Sequence, residues 1–255
     1  MSAFSDYAQI YDLLNEGKDY AGESDFIERL IRDHAPAAKS ILNFGCGTGS
    51  HDLLLAEKGF RTHGVELSPD MLMQAKTRSR TVETAAENCR FSLGDLRAFR
   101  AVERCDIVSA LFHVFSYQTA QEDVVSSLKT FRAHMSDDSV AIFDLWHGPA
   151  VQATPPEVRI RRGENEKIKV TRIAEPDHDV VGRIVRVNFT FFVEDKASGF
   201  ISTFREEHPM RYFFPEEIET LTKEAGLRIV ETGEWLTRDR PTSDSWGVYY
   251  IMRVA

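Results

Sequence analysis

Three glycines in five residues, Gly45, Gly47 and Gly49 of "FGCGTGSHD", separate an apolar run from a helical pattern. Bare backbone at such a turn lets N–H groups approach a ligand closely. A phosphate loop would continue into Gly-Lys-Ser/Thr, but Gly49 is followed by Ser50, His51 and Asp52, which disfavours ATP and GTP. The dinucleotide fingerprint places its last glycine where Ser50 stands, so NAD is disfavoured as well. Glu66 lies 21 residues beyond Gly45 (66 − 45), at the end of the next apolar run, where a carboxylate can accept hydrogen bonds from both hydroxyls of a ribose. Asp95, in "SLGDL", can accept from the exocyclic amino group of adenine. In this order along the chain, the three features describe a nucleoside without phosphates, bound across the carboxyl ends of parallel strands.

Such groups need elements to hold them. Apolar runs over 40–44, 61–66, 106–111 and 140–145, with a short one near Phe91, read as buried strands. Between them lie helical patterns. Ser68 is the expected N-cap of a helix with Pro69 in its first turn, and Val124, Leu128, Phe131 and Met135 mark another. Alternating strands and helices imply a parallel sheet covered on both faces. From about Val151 the rhythm changes: Val185, Val187, Phe189, Phe191 and Val193 alternate with polar residues, the period of an antiparallel strand. Alternation over 167–173 and 201–213 extends this into a small antiparallel sheet over roughly 156–213. A helix beginning near Pro215 and ending before Gly226, then strands near 227–235 and 246–254, return the chain to the main sheet. The expected organisation is an N-terminal helical lid over 1–38, a cofactor-binding core over 39–150 and 214–255, and a β insertion over 151–213.

A chain of 255 residues, 42% hydrophobic and 28% charged, has the balance of a soluble globular protein. No apolar run near the start resembles a signal peptide or a membrane span, so a cytoplasmic location without membrane contact is expected. Cys46, Cys89 and Cys105 lack metal-ligand spacing, so reduced thiols and no metal are expected. A formal charge of −9 disfavours nucleic acid as a partner. The basic knot of Arg159, Arg161 and Arg162 reads as a solvated strand face.

The segments "LNFGCGTGSH", "GVELSPDML", "GDLRAF" and "DIVSALFHVFSYQT" resemble successive motifs of the class I S-adenosylmethionine-dependent methyltransferases. The resemblance implies an α/β fold: a Rossmann-like, doubly wound, seven-stranded mixed sheet whose last strand is antiparallel, with helices on both faces. It places the methionine part of S-adenosylmethionine over Gly45, Cys46, Gly47, Thr48 and Gly49, the ribose on Glu66, and the adenine near Leu67, Met71, Asp95 and Leu96, with Leu111 at the cofactor. Asn43 stands where the family has Asp, and its amide is expected to bond the glycine loop. "YAQIYDLLNEGKDYAGESDFIERLI" and the insertion ending in "EEHPMRYFF" are similar to the sugar-nucleotide N-methyltransferases. That similarity implies that Tyr20 contacts the methionine part, with Tyr11 helping to close the site; Tyr7, Tyr11 and Tyr20 read alternatively as an amphipathic helix packed on the sheet. It also implies a small-molecule acceptor, the amino group of a nucleotide-linked sugar, with another small amine or a hydroxyl as alternatives.

Methyl transfer from a sulfonium requires alignment, exclusion of water and a nucleophile with a free lone pair. Candidates beyond the strand ends are His113 and Tyr117 as catalytic residues. Trp146, His147, Glu207, His208 and Arg211 are candidates for the substrate, with Arg205 or Arg211 expected to meet a diphosphate. Rival readings are a cofactor-binding protein without turnover and a methyltransferase acting on protein or nucleic acid. The β insertion is the expected contact of a homodimer.

Overall fold

The computed structural model describes residues 8–82 and 87–255; Tyr7 lies outside them. Seven strands form the core sheet in the order β3-β2-β1-β4-β5-β11-β10. They are β1 (Ser40–Phe44), β2 (Arg61–Glu66), β3 (Cys89–Leu93), β4 (Cys105–Ala110), β5 (Met135–His147), β10 (Leu227–Glu234) and β11 (Gly247–Val254). The strands β1 to β5 are mutually parallel, and β11 runs antiparallel to both β5 and β10. Side-chain alternation sends Leu42, Phe44 and Val108 to one face and Ile41, Ile107 and Ile251 to the other. Each face is then covered. Helix α2 (Tyr20–His34) and α3 (Ser50–Glu57) pack Phe26, Leu30 and Leu55 on the second face. Helices α5 (Gln121–Ala133) and α7 (Pro215–Glu224) pack Leu128, Phe131 and Leu221 on the first.

Helix starts follow local chemistry. Ser68 accepts from the Met71 N–H at the head of α4 (Pro69–Ser79), and Asp19 accepts from the Gly22 N–H at 2.8 Å to cap α2. Gly226, in the left-handed region at φ 73°, follows α7. The short α6 (Gly148–Ala153) leads into the insertion. Among the described residues no helix is long and apolar enough to cross a membrane.

The insertion is a four-stranded antiparallel sheet of β6 (Arg159–Glu164), β7 (Ile168–Asp179), β8 (Ile184–Asp195) and β9 (Ile201–Phe213). It continues the core sheet instead of forming a separate layer, which gives eleven strands in place of the expected seven. The reason lies in β5. Its partner β4 stops at Ala110, opposite Phe143, which leaves the edge at Trp146 and His147 free to pair with Tyr212 and Phe213 of β9. The sheet therefore turns over the carboxyl ends of the parallel strands. Helix α1 (Ala8–Leu14) is trapped beneath it, with Ala8, Ile10 and Leu14 packed on Val170 and Phe191.

Candidate active site

The core strands end beneath the insertion at a cavity of 1180 Å³. Its floor begins where β1 gives way to the glycine loop. Gly45, at φ 65°, donates its N–H to the Val65 carbonyl at 2.7 Å, and a Cβ there would lie 2.5 Å from Val114. Gly47, at φ 58°, has nothing within 4 Å of a Cβ position and faces the cavity. This open, side-chain-free backbone is the cradle that a nucleoside cofactor needs. Gly45, Cys46, Gly47 and Thr48 line the wall, whereas Gly49 does not: it is the N-cap residue of α3.

Glu66 accepts the Gly47 N–H through Oε2 and the Ser68 N–H through Oε1, each at 2.8 Å. Burial pushes its carboxyl up, against these backbone bonds. Leu67, Met71, Leu96 and Leu111 are on the same wall. Asp95 is there too, gripped by Arg97, whose Nη2 donates to it at 2.6 Å and which also reaches Asp123 at 3.2 Å. The hydrogen bonds from Arg97 hold Asp95 below the usual carboxylate range. Tyr11 and Tyr20 close the loop side. The Tyr20 hydroxyl is buried beside Tyr11 without a hydrogen bond of good geometry, and its ring packs edge-on against His51. A buried hydroxyl at this wall with no strong bond of its own suits a polar group on the ligand.

Two networks dock the N-terminal segment. Thr48 donates to Asp12 Oδ1 at 2.7 Å, and Arg78 bonds both Asp12 and Ser50. Glu23 accepts from His51 at 2.7 Å and from Lys18. Burial raises the Glu23 carboxyl, but these two partners outweigh it and hold it at about 2. Asn43 departs from expectation. It donates to Asp52 at 2.8 Å and accepts from Ser109 at 3.0 Å, so its amide is spent within the core and not on the glycine loop.

At the end of β4 the chain enters the left-handed region at two consecutive residues, Phe112 (φ 66°) and His113 (φ 60°). Such backbone costs about 1–2 kcal/mol per residue. Asp144 of β5 holds it in place, accepting the His113 N–H at 3.0 Å and lying 2.7 Å from His113 Nδ1. His113 therefore presents its ring to the cavity on a carboxylate support. A 3₁₀ turn (Val114–Tyr117) follows and carries Tyr117 to the wall. The Tyr117 hydroxyl is 2.8 Å from His208 Nδ1 of β9, and His208 Nε2 is 3.1 Å from Glu206.

Strand alternation sorts the remaining candidates. Trp146 and His208 reach the cavity, while their neighbours His147 and Glu207 do not. His147 is buried, with its imidazole pKa lowered by that burial, and Glu207 is exposed on the outer face of β9. Arg211 is also turned away, bonded to Glu217 and to the Thr119 carbonyl. Arg205 is exposed and off the wall. The arginines that line the cavity are Arg97, already paired with Asp95 and Asp123, and Arg159, Arg161 and Arg172. The basic knot is exposed, as read from the sequence, but two of its three members line the site; residues 159 and 161, two apart on a strand, share a face. Asp144 and Glu206 carried no signal of their own, since each lies beside a histidine only through the fold: His113 from another part of the chain, and His208 two residues on along the same strand face.

A methyltransferase-domain family model matches residues 41–138. The dTDP-3-amino-3,4,6-trideoxy-alpha-D-glucopyranose N,N-dimethyltransferase of Streptomyces venezuelae is 30% identical, over 88% of this chain and 91% of that protein. The dTDP-3-amino-3,6-dideoxy-alpha-D-glucopyranose N,N-dimethyltransferase of Streptomyces fradiae is also 30% identical, over 87% of this chain and 84% of its own. The crystal structure of Streptomyces venezuelae DesVI superposes with a TM-score of 0.80 at 28% identity, covering 98% of both chains. With likeness of that extent in both sequence and fold, the protein belongs to the class I S-adenosylmethionine-dependent methyltransferases, in the family that includes the dTDP-amino-sugar N,N-dimethyltransferases.

Proposed function

We propose that the protein methylates the amino group of a nucleotide-linked amino sugar. One observation carries this reading: the cavity that begins at the glycine loop runs on to a roof bearing Arg159, Arg161 and Arg172. Three guanidinium groups over one space match a diphosphate, which arginine recognises through charge-assisted, often paired hydrogen bonds. Arg161 is also tethered, donating to the Leu14 carbonyl at 3.1 Å and Asn15 Oδ1 at 3.2 Å, so the roof is joined to α1. In this reading residues 8–38 and the insertion over 151–213 enclose the acceptor, while the core on either side of the insertion holds the cofactor.

Glu66 would hold the ribose, the backbone at Gly47 and the Tyr20 hydroxyl the methionine part, and Leu67, Met71, Asp95 and Leu96 the adenine. When bound, S-adenosylmethionine supplies an electrophilic methyl group on a positively charged sulfur. The protein's own work is then to align the amine, to exclude water and to leave the nitrogen lone pair free. His113, fixed by Asp144, orients the amine from the end of β4. Trp146 and Phe189 add apolar wall. The outer face of the insertion, with Phe192 and Ile201 exposed, is the surface proposed to meet a second copy.

The test is transfer of labelled methyl from S-adenosylmethionine to a dTDP-linked amino sugar and to its hydroxyl counterpart, with mass spectrometry of the products. Methylated amine is the expected product. Methylation of the hydroxyl sugar alone would overturn the N-methyl reading.

A further inference from the structure

We infer that Tyr117, His208 and Glu206 form a proton relay that removes the acceptor's ammonium proton before methyl transfer; this rests on the amine reading above. An amine of ordinary basicity is protonated at neutral pH and then has no lone pair to offer. The site must take that proton from inside a roofed cavity.

The three groups meet because β9 faces the end of the 3₁₀ turn. Alternation puts Glu206, His208 and Met210 on one face of β9, and His208 and Met210 line the cavity. Tyr117 comes from the opposite wall, 37% exposed, with its hydroxyl 2.8 Å from His208 Nδ1. Glu206 lies 3.1 Å from His208 Nε2, and the His208 and Glu206 side chains are only 3% and 7% exposed. A shielded carboxylate on Nε2 selects the tautomer with its proton there, which leaves Nδ1 as the acceptor of the tyrosine O–H. The surroundings are consistent with this polarity. Phe189 of β8 packs on the His208 ring at 4.7 Å, and Arg172 of β7 is held 4.6 Å over Phe189. Arg172 opposes a positive imidazole, and Glu206 offsets it.

In the relay one ammonium N–H bond breaks, and its electron pair stays on nitrogen as the lone pair. That proton adds to Tyr117 Oη as the tyrosine's own proton moves to His208 Nδ1. One positive charge thus passes from the amine to the imidazole beside Glu206, and no other reactant is consumed. The same route in reverse returns the proton to water through the partly exposed Tyr117 after product leaves. Tyr117 touches the acceptor, His208 stores the proton, and Glu206 is a positioning residue. His113 and Asp144 on the other wall are the competing pair, which the test separates.

The experiment measures kcat for labelled methyl transfer to the dTDP-linked amino sugar, from about pH 6 to about pH 10, for wild type, Tyr117→Phe, His208→Gln and Glu206→Gln. Calorimetric binding of S-adenosylhomocysteine checks that each is folded. Tyr117→Phe removes one hydroxyl and Glu206→Gln keeps its shape, so these two decide the matter even if His208→Gln does not fold. For Tyr117→Phe we expect a loss in kcat of about 100-fold at neutral pH. Its log kcat should climb by about one per pH unit until the amine's own pKa, so that the deficit closes at high pH. Glu206→Gln should show the same shape at about a tenth of the depth. A deficit equal at every pH, a loss confined to KM, or wild-type kcat in both decisive variants would overturn the relay. Wild type methylating only the hydroxyl sugar would instead overturn the amine reading, and the wild-type rates alone distinguish the two failures.

Discussion

Glu66 holds two backbone N–H groups already, one on each carboxylate oxygen, and has lone pairs left for two ribose hydroxyls. Glu66→Ala should therefore weaken S-adenosylmethionine binding by about 1.5–3 kcal/mol, the scale of hydrogen bonds to a charged group. Titration calorimetry on the folded variant reads this directly, and unchanged affinity would remove Glu66 from the ribose site. His113 poses a different question, because Asp144 accepts its backbone N–H and also lies 2.7 Å from its Nδ1. If it orients the amine in the transition state, His113→Asn should lower kcat by about 10–100-fold and move KM little. A change in KM alone would make it a binding residue.

Between elements, polar pairs in the core take over from apolar packing. Asn43 of β1 faces Asp52 of α3, which is fully buried with Oδ1 unpaired. Burial pushes the Asp52 carboxyl up to about 7, against the bond from Asn43. Its folded pKa is above the unfolded value of 3.8, so the native state keeps a proton that the unfolded chain gives up, and this contribution to stability falls as pH rises from 3.8 to about 7. Glu23 has the opposite sign: held down to about 2 from 4.5, it stabilises above 4.5 and the benefit is lost as pH falls through that window. Asp52→Asn should accordingly raise Tm at neutral pH and leave it near wild type at about pH 4. Thermal melts at both pH values check it; an equal shift at both would show that ionisation of Asp52 is not the cause. The pair also explains why an amide at position 43 is accommodated: an Asp there would set two carboxylates 2.8 Å apart.

At the scale of the molecule, the insertion roofs the carboxyl ends of the core strands, and in the proposed reading its arginines are the part aimed at substrate. Arg159→Ala should raise KM for a dTDP-linked acceptor by about tenfold with kcat nearly unchanged, because a diphosphate far from the methyl binds equally in ground and transition states. Steady-state kinetics with and without the nucleotide on the sugar tests this; an equal effect on both would detach Arg159 from the diphosphate. The strands β1 and β2 stand where their apolar runs lie, and the start of α4 stands at Ser68 and Pro69, because buried parallel strands and helix caps are written in local residue types. The placement of the glycine loop, Glu66 and Asp95 at strand ends was legible for the same reason, since it follows from order along the chain. What depended on the fold was partnership: that β5 outruns β4 and takes up β9, that Glu206 and His208 meet Tyr117, that Asp144 supports His113, and that Arg159, Arg161 and Arg172 face the cavity while Arg205 and Arg211 do not. Local sequence determines which element forms and which residues share its face; which face meets the site is decided by sheet register and by contacts between residues as far apart as Tyr117 and His208, 91 positions, or Leu14 and Arg161, 147 positions, and no local pattern encodes those.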